Sequence, residues 1–374
     1  MLYYSSKVLT RLRAKVKDLE GKFMKRKWMA MVLSMTMVVS LLAGCGTVGG
    51  KGEENTNNKN DTENLSDSQP ASNGSESDES RVYKIGICQQ LEHQALDAAT
   101  EGFRAALEEK LGKDKVEFDY QNAQGEQANC ATIATKFVND KTDLIMANAT
   151  TALQACAAAT ADIPIIGTSV TDFAAAGVVE NNDVPGRNVT GTSDLAPIDK
   201  QIDLLTTLVP SAKKVGILFC SAEANSVFQA EQAEKALKEK GISYERYTVA
   251  DSNDVQQVTS NAVAGCDAIY IPTDNTLADN MEGVKNVTVP ANIPVICGEE
   301  NMCAAGGLAT LSISYYNIGY NAGIMAYEIL VNGKKPAEMP VQYADEMTVK
   351  YNSEVAEALK IDMPSDMVAI EKEG

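Results

Sequence analysis

The sequence predicts an α/β protein of two similar lobes, each a parallel β-sheet covered by helices on both faces. The first observation is an internal repeat: KIGI at 84–87 recurs as KVGI at 214–217, and IPII at 163–166 recurs as IPVI at 293–296, both 130 residues later. The second is that short apolar runs alternate with segments of helical periodicity, a pattern typical of parallel sheets. A repeat of this length indicates that the same order of strands and helices occurs twice in the chain.

Each half is expected to run strand–helix–strand–helix–strand–helix–strand, as a Rossmann-like lobe. Apolar residues recur at helical spacing over 95–111 and 226–240. Gly112 and Gly241 follow these segments, where a helix end favours glycine. The tail lies outside the repeat and is predicted to form a helix, a strand and a short helix, at 312–332, 341–350 and 353–359.

The chain is predicted to pass between the lobes three times, which would make a stiff hinge. The first lobe is expected over 81–193 and 313–338, and the second over 194–312 and 339–374. Ligands of open parallel sheets bind beyond the carboxyl ends of the strands. We therefore expect the strand ends of the two lobes to face each other across a cleft that closes by hinge motion.

The N-terminus has the order of a secretory signal: basic residues at 25–27, then a 16-residue apolar run at 28–43. That run is shorter than the roughly 20 residues of a membrane-spanning helix. Leu-Ala-Gly-Cys at 42–45 resembles the bacterial lipoprotein signal. Residues 1–44 are thus the expected signal peptide, with the true start at Met24, and Cys45 would be the lipidated first mature residue; a plain signal anchor is the alternative.

Residues 45–80 contain the lipidation site and a polar segment too poor in apolar residues to fold, which we interpret as a disordered tether.

The charge balance limits the possible partners of the protein. The 51 acidic against 33 basic residues argue against nucleic acid, whose phosphates require a basic surface. The seven cysteines after Cys45 form no CxxC pair and have no metal-type spacing, so buried free thiols and no metal site are expected.

Ten short segments together resemble the substrate-binding proteins of ABC transporters, in the group that includes tryptophan- and tyrosine-binding lipoproteins with the periplasmic-binding-protein type I fold. The resemblance covers about residues 82–365. One departure is Ser314, where an Asp commonly precedes the two tyrosines. The matching segments are 92–93, 96–97, 122–125, 143–145, 149–150, 190–194, 221–226, 272–275, 298–300 and 315–319.

The resemblance implies an extracytoplasmic protein that binds a small solute, foremost an aromatic amino acid (Tyr, Trp or Phe), in the interlobe cleft. It implies partnership with ABC permease and ATPase subunits and requires no cofactor. We expect a monomer on the extracellular face of the cell membrane, held there by its lipid alone. An adhesin or sensor of the same fold is one alternative, and a nucleoside, sugar or branched-chain amino acid as solute is another, because fold alone does not decide function.

A free amino acid needs a carboxylate for its ammonium group and hydroxyl or backbone N–H groups for its carboxylate. Thr150 and Thr151, placed between a strand and a helix, are the predicted carboxylate binders, with plain helix capping as the alternative. Asp274 is the first candidate for the ammonium group and Glu299 the second. Asp274 could equally cap a helix.

His93, the only histidine of the chain, follows the first strand and could stack on or hydrogen-bond a ring. The remaining candidates lie at predicted strand ends or hinge positions; they are Gln90, Asn148, Ser169, Asp172, Ser193, Ala222, Glu223, Thr273, Asn275 and Tyr315. Catalysis is disfavoured because the sequence contains no GxSxG or HExxH motif and no phosphate-binding glycine loop, and because a Ser-His-Asp triad would need His93 as its base.

We expect Cys45→Ser to abolish acylation and release the protein from the membrane, because only the thiol of the cleavage-site cysteine accepts the lipid. Metabolic labelling with an alkyne fatty acid, followed by membrane fractionation, measures both effects. Cys88→Ser is the matched control and should leave labelling intact. Persistent labelling of the Cys45→Ser variant would contradict the lipoprotein interpretation.

Overall fold

A computed structural model describes residues 81–370, so the predicted signal peptide, Cys45 and the tether lie outside the described residues. In that part of the chain no helix is long and apolar enough to cross a membrane. The seven cysteines there are free and buried, as expected.

The first lobe contains β1 to β5 and four helices. The strands occupy Tyr83–Gln89, Val116–Asn122, Leu144–Asn148, Ile165–Val170 and Val189–Ser193. Between them lie α1 (Gln94–Leu111), α2 (Gln127–Asp140) and α3 (Thr150–Ala159), and α10 (Tyr315–Leu330) returns to this lobe from the tail. One apolar cluster joins the sheet to α2 and α3, and another joins it to α1 and α10, so helices cover both faces.

The second lobe repeats the plan. Its strands β6 to β12 occupy Lys214–Cys220, Ser243–Val249, Ala268–Ile271, Val295–Cys297, Ala309–Ser312, Thr348–Tyr351 and Val368–Ala369. Its helices are α4 (Ile198–Leu208), α5 (Ala224–Glu239), α6 (Val255–Gly265), α7 (Asn275–Asp279), α8 (Met281–Thr288), α9 (Glu300–Ala305) and α11 (Ser353–Leu359). Apolar clusters again lie on both faces of the sheet.

The strand order shows that the repeat is structural. The first sheet has the order β2-β1-β3-β4-β5, and the second contains the matching order β7-β6-β8-β9-β10, extended by β11 and β12. All neighbours within the matching parts are parallel, and β11 runs antiparallel to β10. The predicted fold of two Rossmann-like lobes with parallel sheets is confirmed.

The tail departs from the prediction at the third crossing. The predicted strand over 341–350 is wrong, because its two ends belong to different lobes. Gln342 pairs with β5 of the first lobe, accepting from the Ser193 amide at 2.7 Å and donating to the Gly191 carbonyl at 2.9 Å, whereas Thr348–Tyr351 pairs with β10 of the second. The chain therefore pairs with the first lobe through residue 342 and with the second from residue 348.

Close packing of α1 on α10 anchors the returning helix to the first lobe. A Cβ atom on Gly319 would overlap the Ala99 carbonyl oxygen, and one on Gly102 would overlap the Tyr316 carbonyl oxygen. The two backbones approach this closely only because both positions lack a side chain. Since α10 begins at Tyr315, this contact also fixes the position of the hinge.

We expect Gly319→Ala to destabilise the protein by about 1–3 kcal/mol, the range for overpacking a well-packed contact. Gly283→Ala, in the interior of α8 with open space around its Cβ position, is the matched control. The control should be neutral or stabilising, because alanine is the better helix former. Urea unfolding of both variants measures the difference, and equal stabilities would contradict the close helix contact.

Candidate functional site

Polar residues collect at one edge of the first sheet, where β3, β4 and β5 end. β3 ends at Asn148, Ser169 is the next-to-last residue of β4, and Asp194 directly follows β5. All three side chains are buried. Because neighbouring strands lie about 4.8 Å apart, the three residues occupy adjacent positions along this edge, which we name the strand-end site.

Each residue of the strand-end site holds one buried polar atom without a hydrogen-bond partner among the described residues: Asn148 Oδ1, Ser169 Oγ and Asp194 Oδ1. Such an atom costs roughly 1–3 kcal/mol. Asn225 Oδ1, in the first turn of α5 in the second lobe, is also buried without a hydrogen-bond partner among the described residues. With Thr310 Oγ1 in β10, five such atoms occur among the described residues, and three of them lie at this one edge. This grouping indicates a place where a polar ligand supplies the missing partners.

The backbone at this edge is also strained. Ala149 and Ser169 adopt φ values of 83° and 55°, in the left-handed region that residues with a side chain rarely adopt. The Ala149 conformation turns the chain from β3 directly into α3, which begins at Thr150 rather than after the two threonines. The Thr151 amide donates to the Gln90 side chain at 3.3 Å. The N-terminus of α3 thus opens at the strand-end site.

Asp194 provides the negative charge of the site. Its Oδ2 accepts a hydrogen bond from the Tyr315 hydroxyl at 3.0 Å, while Oδ1 is unpaired. Burial raises the pKa of Asp194 to about 6, although the side chains of Tyr315 and Thr171 and the Asp194 backbone amide oppose the rise. Our list of candidate contacts omitted Asp194, even though it ends the segment 190–194 that carries the family resemblance. Tyr315, a predicted contact, therefore acts on the site through this carboxylate.

The carboxylates predicted in the second lobe have other partners. Asp274 accepts from the Leu277 amide at 2.9 Å and from the Cys220 amide at 2.6 Å, so it caps α7. Glu299 caps α9 through the amides of Asn301 and Met302. Burial raises the pKa of both carboxyl groups to about 7. The alternative interpretation of Asp274 as a helix cap is the one that the geometry favours.

Glu223 is likewise occupied within its own lobe. One carboxylate oxygen accepts from the amide and the side chain of Asn275, at 3.1 and 2.7 Å, and the other accepts from the amide and hydroxyl of Thr276, both at 2.8 Å. This buried carboxylate therefore holds the start of α7 in place.

The other predicted contacts divide between structural and surface positions. Asp172 accepts from the Ala175 amide and from Asn182, and Ser193 donates to the Thr171 carbonyl, so both stabilise local turns. Ala222 is exposed, and Thr273 donates its amide to Gln229 at 3.1 Å. The structure does not unite these four residues with the unpaired atoms of the strand-end site.

Two hydrogen bonds between side chains join the lobes across the cleft within residues 81–370. His93 Nε2 lies 3.2 Å from Asn275 Oδ1, and the Gln229 side chain donates to the Thr171 hydroxyl at 3.1 Å. Sequence reasoning missed Thr171 and Gln229, because neither residue type signals an interlobe contact. With both contacts made, the cleft is closed over the strand-end site.

A separate cavity of about 570 Å³ lies at the hinge, lined by α10, the start of α9 and residues 344–350. Tyr315 is the one predicted contact that lines it. Ser314, also in its lining, is exposed and caps α10 by accepting from the Asn317 amide at 3.2 Å. Aspartate and serine cap helices equally well, so the serine at this position keeps the cap of α10.

The fold and the site define a two-lobed solute-binding protein: two Rossmann-like lobes close on a polar site at their strand ends. A family model described as ABC transporter substrate binding protein matches residues 84–373. The chain belongs to this family of substrate-binding proteins. In the described residues no group of three or more His, Cys, Asp or Glu side chains could hold a metal ion.

Three relatives show which substrate-binding proteins the chain is similar to. A tyrosine-binding protein of Clostridioides difficile (strain R20291) is 41% identical over 292 residues, covering 77% of this chain and 84% of the relative. The structure of an ABC domain in complex with L-Trp from Streptococcus pneumonia is 32% identical, with a TM-score of 0.75 over 77% of this chain and 100% of that one.

The third relative is a substrate-binding protein with adhesive properties from Clostridium difficile, whose structure is ligand-free and open. It is 38% identical and covers 78% of this chain and 100% of its own, yet its TM-score is 0.62. The chain is therefore more similar in shape to the L-Trp complex than to the open structure, although its sequence is more similar to the latter. This agrees with the interlobe contacts that close the cleft.

The raised pKa of Asp194 predicts a pH-dependent stability of the ligand-free protein. Its carboxyl group favours the folded state below its ordinary pKa near 3.8, and this advantage is lost as pH rises through about 6. Asp194→Asn does not titrate. Its melting temperature should approach that of the wild type as pH falls toward about 4, exceed it increasingly as pH rises to about 6 and remain higher at pH 8, by roughly 2–4 °C for each kcal/mol of stability. Parallel melting curves across this range would contradict a buried, unpaired Asp194 carboxylate.

Proposed function

We propose that the protein binds an aromatic L-amino acid in its interlobe cleft and delivers it to an ABC importer. The observation that carries the proposal is the Asp194 carboxylate, buried at the hinge with one oxygen unpaired. A buried anion of this kind needs a cationic partner. The ammonium group of an amino acid supplies that charge together with hydrogen-bond donors.

The neighbours of Asp194 suit the other end of the same ligand. Ser169 Oγ can donate to a carboxylate oxygen, and the N-terminus of α3 offers backbone amides and the positive end of a helix dipole. Thr150 stands at the first position of that helix and adds a hydroxyl. The ammonium and carboxylate groups of an amino acid share one carbon atom, so a zwitterion spans neighbouring strand ends about 4.8 Å apart.

The aromatic side chain is inferred from the relatives. A relative at 41% identity is named a tyrosine-binding protein, and a structural neighbour at 32% identity was solved with L-Trp. Both match more than three quarters of this chain. These likenesses favour tyrosine and tryptophan over a nucleoside, a sugar or a branched-chain amino acid.

The proposal includes the location of the protein. Acylation at Cys45 would tether the folded lobes to the extracellular face of the cell membrane. Residues 46–80 would give the lobes reach toward a permease, whose ATPase subunit would drive import. No catalytic step is part of this function, and we expect the protein to act as a monomer.

Adhesion is a second candidate, favoured by the 38% identical neighbour described as having adhesive properties. Because the strand-end site is enclosed when the cleft is closed, adhesion would use the outer surface and could coexist with transport. Binding of the lipidated protein to host cells, compared with and without saturating L-tyrosine, separates the two roles.

A melting screen of residues 81–374 against the twenty amino acids, nucleosides and sugars tests the ligand. A ligand at about 100 times its Kd stabilises the folded state by about 2.7 kcal/mol. We expect shifts with Tyr and Trp, and a smaller shift or none with the non-aromatic solutes. A shift with a nucleoside or sugar alone would overturn the proposed solute.

Substitution of two buried carboxylates tests the ammonium partner. Asp194→Asn removes the negative charge and should weaken amino-acid binding roughly 10- to 150-fold, as expected for a hydrogen bond to a charged group worth about 1.5–3 kcal/mol. Asp274→Asn is the matched control: it should lower the melting temperature, because an amide NH₂ group cannot accept the hydrogen bond from the Cys220 amide, while leaving Kd nearly unchanged. Isothermal titration calorimetry measures Kd, and the reverse result would transfer the ammonium contact to Asp274.

A further inference from the structure

Among the described residues, one hydrogen bond between side chains joins the start of α1 to the start of α7 across the cleft. His93 directly precedes α1 in the first lobe, and Asn275 is the first residue of α7 in the second. The distance from Nε2 to Oδ1 is 3.2 Å. The pair thus exists only while the lobes are together.

The second lobe fixes the orientation of the Asn275 amide. Its Nδ2 group donates to a Glu223 carboxylate oxygen at 2.7 Å, and only the NH₂ end can donate to a carboxylate. Oδ1 must therefore face the cleft as an acceptor. His93 meets it as the donor, through Nε2–H.

We propose that His93 and Asn275 form a latch that holds the cleft closed after ligand has entered. Glu223 is the positioning residue of this latch, because its carboxylate orients the Asn275 amide. This role differs from the ring contact that the sequence suggested for His93. It rests on the family's solute-binding role and not on which solute is bound.

The other interlobe contact, between Gln229 and Thr171, lies nearer the hinge. The Thr171 carbonyl accepts from Ser193, the last residue of β5, and Gln229 is held by two further hydrogen bonds to Thr273. Thr171 is thereby tied to the end of β5, where the chain first leaves the first lobe. We therefore expect the Thr171–Gln229 contact to separate less than the His93–Asn275 pair when the lobes open.

The charges around His93 come from three elements: Asp97 on α1, Glu223 before α5, and Asp279 on α7. These carboxylates favour the imidazolium, but burial outweighs them and lowers the pKa of His93 below its ordinary value near 6.5. The closed latch therefore contains a neutral imidazole. Closure should release a proton from any His93 that is charged in the open state.

A latch stabilises the closed complex without touching the ligand, so its loss should raise the dissociation rate and leave the association rate unchanged. A net hydrogen bond is worth about 0.5–1.5 kcal/mol, which corresponds to roughly 2- to 12-fold in Kd. The factor should be the same for every ligand that the cleft accepts.

The test is a double-mutant cycle of His93→Ala and Asn275→Ala, with Kd and dissociation rates measured for L-Tyr, L-Trp and L-Phe. Each single variant should raise the Kd of all three amino acids by one common factor of about 2–12. The Kd of the double variant should be no higher than that of the single variant with the weaker binding. Gln94→Ala, on the exposed neighbour of His93, is the matched control and should bind normally. His93→Gln restores an amide donor and should recover part of the affinity.

Different outcomes overturn the latch in recognisable ways. If the loss of affinity differs among the three amino acids, His93 is a ligand contact. If the losses of binding free energy in the two single variants add up in the double variant, His93 and Asn275 act independently. Circular dichroism checks that Asn275→Ala is folded; if it is not, Glu223→Gln, which weakens the hold on Asn275, replaces it in the cycle. If wild-type protein binds none of the three, the proposed solute fails, and the same cycle is run with the solute of largest melting shift.

The single histidine provides an independent readout. The imidazole NMR signal, titrated in ligand-free and ligand-saturated wild-type protein, should show a lower pKa in the saturated protein. In Asn275→Ala the difference between the two states should shrink, because the closed state is less populated. An imidazole pKa that ligand leaves unchanged would contradict burial of His93 on closure.

Discussion

The parallel direction of the strands is the constraint on which the site depends. In a parallel sheet all carboxyl ends lie at one edge, so side chains that are distant in sequence, such as Asn148, Ser169 and Asp194, become neighbours. The crossover helices then begin at that same edge. The polar groups and the helix N-termini that a zwitterion requires are consequently supplied together by the topology.

The two lobes share a strand order but not a chemical role. In the first lobe the polar groups at the strand ends retain unpaired atoms, and two residues there adopt strained backbone conformations. In the second lobe both oxygens of each buried carboxylate, Glu223, Asp274 and Glu299, accept hydrogen bonds from groups of that lobe, namely amides of α7, α9 and Cys220 and side chains of α7. The first lobe is therefore suited to recognise the charged groups of the ligand, and the second presents a preformed face that closes over it.

The hinge links recognition to closure. Asp194 lies where the chain first leaves the first lobe, and Tyr315, which donates to it, lies where the chain returns. In the proposed function, an ammonium group bound at Asp194 would therefore act on two of the three crossings at once. The close contact of α10 with α1 transmits this position to the helix that His93 precedes.

The sequence by itself determined the two-lobe fold, the helices over 94–111 and 353–359 and the glycines that end two of the helices, because hydrophobic periodicity and helix-end preferences are local properties. It also located most of the residues at the strand ends. Only the tertiary structure decided which carboxylate stays unpaired: Asp274 and Asp194 both follow buried strands, but amides of the second lobe bind both oxygens of Asp274, whereas one oxygen of Asp194 has no partner among the described residues. The same holds for the split of 341–350 between lobes and for the pairing of His93 with Asn275, since both depend on long-range contacts that no local pattern encodes.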